Sequence, residues 1–239
     1  MAQIMGILNL TPDSFYAPSR HNMAMLDSGA DIIDIGACST RPGHTPVGAE
    51  EEWRRLEPVL RMIAAERPEL KISIDTYWSD VVRRAYEVIG PFIVNDVEAG
   101  DADPEMLSTV AELGLPYVPM HHTEADSVDE IVTFYEEFEA KANELGIKDW
   151  IIDPGFGFNK DVDQNWAILR GLSKLRKFGR PILVGVSRKR MTGGSLEVTQ
   201  QAHEEALRQG ADILRVHDVQ EAKLTMLRVL GEPDQDPGK

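Results

Sequence analysis

The chain has 239 residues, 42% hydrophobic and 7% aromatic, enough to bury a full core in one domain or in two small ones. A formal charge of -15 argues against nucleic acid as a partner, because phosphate neutralisation needs a basic face; an anionic ligand would depend on cations concentrated locally. No apolar run approaches the roughly 20 residues of a membrane span, and the N-terminus MAQIMGILNLTPDSF lacks the basic region and cleavage site of a signal peptide, so a cytoplasmic protein without membrane contact is expected. One cysteine, Cys38, excludes an intrachain disulfide and reads as a small packed or semi-exposed thiol rather than a nucleophile, since no His or Asp is arranged by the sequence to activate it.

Short β-rich runs recur along the chain. IMGILNL from Ile4 and IIDIGA from Ile32 come first, followed by a helical stretch, Glu50 to Ala65, whose Trp53, Leu56, Leu60 and Ile63 share one stripe. KISIDT from Lys71, FIVNDV from Phe92 and YVPMHH from Tyr117 follow, then a second clear helical stripe over Val128 to Leu145, with Ile131, Phe134, Phe138 and Leu145. WIIDPG from Trp150, PILVGV from Pro181 and ILRVHD from Ile213 complete eight runs before the polar tail GEPDQDPGK. The runs are continuously apolar rather than alternating, as strands covered on both faces should be. Gly29, Gly90, Gly114, Gly146, Gly179 and Gly210 stand where helix C-caps would precede the next strand. Eight alternating units predict an α/β protein of one domain over residues 1–231, a closed (β/α)8 TIM barrel, with residues 232–239 as a tail; a doubly wound open sheet is the alternative.

In such a barrel the ligand lies at the C-terminal ends of the strands. The residues there are Asn9, Asp34, Asp75, Asn95 with Asp96, His121, Asp153, Ser187 with Arg188 and Lys189, and Arg215 with His217. Helix capping would explain one or two of these, and Asp96, or the neighbouring Asp218, reads as no more than a cap. It does not explain polar groups on nearly every strand end, where a partly desolvated wall makes unpaired polar atoms costly. Asp75, Asn95 and Asp153 suit the donor and acceptor edges of a flat heterocycle, whereas Arg41, Lys189, Arg215 and His217 suit phosphate oxygens. The turns STRPG (Ser39 to Gly43) and DPGFGF bring bare backbone to the ligand. The mouth therefore reads as bipartite, with a heterocycle at the bottom and an anion at the rim.

The motifs MGILNLTPDSF (Met5 to Phe15), GADIIDIGACSTRPG (Gly29 to Gly43), ISIDT, IVNDV, MH (Met120, His121), IIDPGFGFNK (Ile151 to Lys160), VGVSRK (Val184 to Lys189) and ILRVHDV together resemble the dihydropteroate synthase family, in family order and over essentially the whole chain. The resemblance implies a barrel that joins 6-hydroxymethyl-7,8-dihydropterin diphosphate to 4-aminobenzoate with Mg²⁺, releasing diphosphate. It implies that Asp75, Asn95, Asp153 and Lys189 hold the pterin, with Met120, Phe158 and Gly185 lining its slot. Asn9, through magnesium, Arg215 and His217 would face the diphosphate; Thr40, Arg41, Ser187, Lys189 and Phe158 would receive the aminobenzoate. Catalysis would fall to Asp75, Asp153, Lys189, Arg215 and His217 in a dissociative reaction, with diphosphate leaving first and the aniline nitrogen attacking a pterin cation. The family is a target of sulfonamides. Lys160 acquires no role from the motifs.

Three segments depart from the family pattern. YAPSRHN after DSF leads quickly to GADIID, which cuts the first helix short; TEADSVDE passes directly into the helix after the fifth strand; and TGGSLEVTQ reads as a flexible link before a late helix, VTQQAHEEALRQG, that is polar on most faces. Shortened substrate loops leave open an inactive pterin-binding barrel or one that presents a methylated folate to a partner. The polar late helix implies that the family homodimer is weakened or absent, an expectation that a two-protomer molar mass by light scattering at micromolar concentration would contradict.

Overall fold

A computed structural model describes residues 2–10, 24–38 and 47–231. Seven strands, β1 (Gln3–Asn9), β2 (Ile32–Gly36), β3 (Ile72–Asp75), β4 (Ile93–Asp96), β5 (Tyr117–Pro119), β6 (Leu183–Val184) and β7 (Ile213–Val216), form one sheet in the order β5-β4-β3-β2-β1-β7-β6. All pairings are parallel. Helices α1 (Ala49–Glu66), α2 (Ser79–Ile89), α3 (Met106–Leu113), α4 (Val128–Leu145), α5 (Val162–Arg170), α6 (Leu196–Arg208) and α7 (Val219–Leu230) connect the strands. Between β1 and β2 the described residues hold the 3-10 turn Ala24–Asp27; the rest of the segment expected to carry a shortened first helix, residues 11–23, lies outside them. Among the described residues no helix is long and apolar enough to cross a membrane.

Strand alternation places the site. Successive side chains point to opposite faces, so every second residue enters the same layer. Met5, Ile32, Ile93, Val118, Ile151, Leu183 and Ile213 form their own apolar cluster, while neighbours such as Ile4, Ile33, Val94, Tyr117, Ile152, Ile182 and Leu214 belong to the larger core that includes residues of the helices. Two residues beyond six of the floor residues, on the same face, stand Asp34, Asn95, Met120, Asp153, Gly185 and Arg215. The polar layer thus rests directly on an apolar floor.

The sixth expected strand differs from the other seven. Trp150 to Asp153 is bridged to both ends of the sheet order, through Tyr117 and Met120 on one side and Ile182 on the other. Ile151 N donates to Tyr117 O at 2.8 Å, and Leu183 N to Ile152 O at 2.7 Å. The next ladder bond is interrupted: Asp153 N donates instead to the Tyr135 hydroxyl at 2.8 Å, and that hydroxyl lies 2.7 Å from Pro119 O and 2.8 Å from Asp153 O. A side chain from α4 is spliced into the pairing, which reduces it to isolated bridges rather than a continuous strand.

One sequence expectation about the later helices needs correction. TGGSLEVTQ is ordered: Gly193 ends a 3-10 turn in the left-handed region, and Ser195 caps α6 by accepting from Val198 N at 3.3 Å. The helix, expected to be polar on most faces, buries one face through Thr199, Ala202, His203, Ala206 and Leu207. The six glycines expected before strands all have positive φ. Leu224, Leu227 and Leu230 remain substantially exposed on α7.

Removing the Tyr135 hydroxyl would leave the Asp153 N–H and the Pro119 carbonyl buried without this partner. Tyr135→Phe is expected to lower stability by about 1–3 kcal/mol, measured by urea unfolding with the slope unchanged.

Candidate active site

The floor of the mouth is organised by a buried carboxylate. Asp34, fully buried on β2, accepts from Ser73 Oγ at 2.6 Å, from Asn95 Nδ2 at 3.2 Å and from Arg215 Nε at 2.7 Å. Arg215 reaches across the layer and donates through Nη2 to Asp75 Oδ2 at 2.9 Å. Burying such ions is costly unless their hydrogen bonds are met; here Asp34 is met by three side chains. Asp75 is not: its Oδ1 is buried with no protein partner, an acceptor placed for a donor from outside the protein. Burial raises the Asp75 carboxyl to about 7 against the pull of Arg215, with Asp34 adding to the rise.

Asp153 stands at the start of a tight turn. Its Oδ1 accepts from Gly155 N at 2.8 Å, and its carboxyl is raised by burial while Lys189 opposes the shift. Gly155 has φ +71°, and a Cβ there would lie 1.9 Å from His121 O, so the turn admits no side chain. Lys189 donates to the Phe156 carbonyl, lies 4.8 Å above the Phe158 ring and is lowered to about 8 by burial, Asp153 pulling the other way. At the rim Ser187 Oγ is 3.1 Å from His217 Nδ1.

These elements converge on one pocket, lined by Asp75, Asn95, Val97, Met120, Asp153, Phe158, Gly185, Lys189 and Arg215. Eight of the nine are expected from the sequence. Val97 is not, because a valine ending an apolar run carries no polar signal. Ser187 and His217 pair beside the lining residues, and Asn9 is exposed at the end of β1. Thr40 and Arg41, with the segments Thr11 to Tyr16 and Ser39 to Gly43, lie outside the described residues.

Other mouth residues have structural roles. Asp96 accepts from Glu98 N and Gly100 N, both at 2.8 Å, and from Tyr117 OH at 2.6 Å. His121 packs edge-on to Phe134 and is lowered to about 4 by burial. Arg188 pairs with Asp218 at 2.6 Å, so Asp218 holds a cation rather than capping α7 with its side chain. Arg215 lines the pocket as expected, but its head group is engaged by two carboxylates, a contact invisible across 181 residues of sequence separation.

A second cleft opens near the N-terminal ends of the strands, lined by Gln3, Lys71, Arg176, Arg180 and Asp212 among others. Its arginines are occupied: Arg176 pairs with Asp212 at 2.6 Å and Arg180 donates to Lys148 O at 2.7 Å. Neither offers an equivalent of the open Asp75 acceptor.

The pocket and fold define a pterin binding enzyme: the profile of that family matches residues 5–217, and the chain belongs to it. Among its relatives, the dihydropteroate synthase of Escherichia coli (strain K12) is 38% identical over 248 residues, covering 91% of this chain and 87% of that protein. The dihydropteroate synthase of Streptococcus pyogenes is 40% identical over 243 residues, covering 91% of each. The Xanthomonas albilineans dihydropteroate synthase, solved with 4-aminobenzoic acid, superposes with a TM-score of 0.87 at 37% identity, covering 97% of this chain and 94% of that one. The Coxiella burnetii dihydropteroate synthase, solved with pteroic acid, gives 0.83 at 32% identity, with coverage of 96% and 92%.

Glu52 extends the charged layer from α1. It is fully buried and neither carboxylate oxygen has a hydrogen-bond partner. Burial raises it to about 7; the nearby Thr76 hydroxyl lowers it and Asp75 raises it. Because the folded value exceeds the unfolded one, this carboxyl's contribution is complete below about 4.5 and is lost as pH rises through about 7. Glu52→Gln is therefore expected to be nearly neutral at pH 5 and to exceed wild type by about 2–3 kcal/mol at pH 8, read from paired urea titrations.

Proposed function

We propose that this chain joins 6-hydroxymethyl-7,8-dihydropterin diphosphate to 4-aminobenzoate, yielding 7,8-dihydropteroate and diphosphate as a transferase of folate biosynthesis. The observation that carries this reading is the single pocket in which Asp75, Asn95, Asp153 and Lys189 meet Met120, Phe158, Gly185 and Arg215, in a chain related over about nine-tenths of its length to dihydropteroate synthases. The open Asp75 oxygen supports binding of a ring with N–H groups on its edge. The bridging of Trp150 to Asp153 to both sides supports reading the fold as a closed (β/α)8 barrel, one domain over residues 1–231 with residues 232–239 as a tail.

The chemistry follows from the charge layout. Asp153 and Asp75 place negative potential at the ring and stabilise positive charge as it develops there, in a site where burial strengthens the interaction. Lys189 and Arg215, the latter shared with Asp34 and Asp75, supply positive charge for the leaving diphosphate, with His217 facing it at the rim, and this local supply suits an anion on a strongly acidic chain. Phe158 and Lys189 form the wall on the aminobenzoate side, with Ser187 beside them; Thr40 and Arg41, outside the described residues, would complete the reception of the aminobenzoate. Closure of the loops spanning Thr11 to Tyr16 and Ser39 to Gly43 would exclude water from a cationic intermediate.

Mg²⁺ fits this donor set. The space that a Cβ on Gly36 would fill is bounded by Asn9 Oδ1 and Asp75 Oδ2, each 3.7 Å away, and magnesium characteristically takes few protein oxygens together with substrate phosphates and water. Among the described residues no cluster of three or more His, Cys, Asp or Glu could hold a metal alone, which suits an ion that arrives with a diphosphate. Asn9 would hold it, and it would neutralise charge on the leaving group.

The purified chain incubated with both substrates and Mg²⁺ is expected to release diphosphate and dihydropteroate in equal amounts. Asp153→Asn should cut turnover by about 10²–10³-fold with an unchanged circular dichroism spectrum. Pterin binding without either product would replace the transferase reading with a binding-only one.

A further inference from the structure

Lys160 ends the motif IIDPGFGFNK and lines no part of the pocket, yet its side chain is buried. Its Nζ lies 3.1 Å from His121 O, 3.1 Å from Thr123 O, 3.2 Å from Gly155 O and 3.1 Å from Phe158 O. An ammonium carries three protons, so four carbonyls share them. Two belong to the loop after β5 and two to the turn after Asp153; one cation thus binds two loops together. Asn165 on α5 holds the same turn from the other side, accepting from Gly157 N at 2.7 Å and donating to Lys160 O at 3.1 Å.

The two turn carbonyls on Lys160 belong to the residues that aim the pocket's side chains. Phe158 presents its ring to the pocket and to Lys189, and its carbonyl is on Lys160. Gly155 donates its N–H to the Asp153 carboxylate, and its carbonyl is also on Lys160. Moving either peptide would move the heterocycle's carboxylate or the wall beside it. A neutral apolar side chain would leave up to three of these carbonyls without a partner, Gly155 O keeping the Phe158 N–H at 3.2 Å.

We propose that Lys160 is a positioning residue for the pterin site, fixing the Asp153 to Phe158 turn against the loop after β5 so that Asp153 and Phe158 face the ligand together. The assignment rests on the pterin reading of the pocket. A burial-driven fall of the Lys160 ammonium to about 8 fits a cation kept for its hydrogen bonds rather than for solvent.

The test compares Lys160→Met, Lys160→Gln and Asp153→Asn in the full chain, with fold checked by circular dichroism and melting. The KM for the pterin diphosphate and for 4-aminobenzoate and the kcat are measured separately, alongside calorimetric binding of the pterin ring. The expected result is a rise of about tenfold or more in pterin KM and Kd for the Met variant and a smaller rise for Gln, which keeps two N–H donors. A purely structural role would lower the melting temperature and the active fraction, reducing kcat with KM and Kd unchanged, and that outcome overturns the assignment. Failure of both Lys160 variants to fold would likewise make it a folding residue and overturn it. Full pterin binding by Asp153→Asn would sink the site reading itself; weakened binding there with none in the Lys160 variants would sink only the Lys160 assignment.

Discussion

A guanidinium held between two buried carboxylates organises this protein's mouth. Arg215 spans Asp34 and Asp75, and Asp34 in turn fixes Asn95 and Ser73. Three strands, β2, β3 and β7, with Asn95 from β4, are thereby brought to one electrostatic arrangement above the apolar floor. Such a layer is expensive to bury and is sustained by hydrogen bonds made within the protein. The buried acceptor left over, Asp75 Oδ1, opens on the pocket side of this network, where a ligand edge can complete it.

The turn after Asp153 is the second half of the same construction. Here the groups that restrain the backbone, the Tyr135 hydroxyl and the Lys160 ammonium, come from outside the pocket. The Tyr135 insertion interrupts strand pairing at Asp153 while satisfying the displaced N–H. Regular pairing is given up at the position where a side chain must be aimed, a compromise seen where a site is built into a sheet.

Much of this was legible because strand alternation and strand ends are local properties. The apolar runs marked all seven sheet strands and the bridged segment, polar residues at or just beyond their ends marked five of the nine residues lining the pocket, and the family resemblance added Met120, Phe158 and Gly185. Properties set by distant packing were not legible. Val97 carries no chemical signal; Tyr135 looks like any aromatic on an amphipathic helix; Glu52 looks like one more acid in the first turn of α1, where the helix dipole alone would favour it. Lys160 had no role until its four carbonyl partners, two of them 37 and 39 residues away in the chain, were brought to it by the fold. The glycine-rich TGGS segment reads as flexible in sequence because the bond by which Ser195 accepts from Val198 N depends on α6 having formed.

The ion layer beneath the pocket is the account's central claim, and Asp34 tests it most directly because its side chain touches Arg215 and Asn95 without lining the pocket itself. Calorimetric binding of the pterin ring, without its diphosphate, should be compared between wild type and Asp34→Asn with the fold verified for both. The account predicts affinity weakened by about tenfold or more, equivalent to about 1.4 kcal/mol, because Arg215 and Asn95 lose the charge that orients them; unchanged affinity in a folded variant would contradict it.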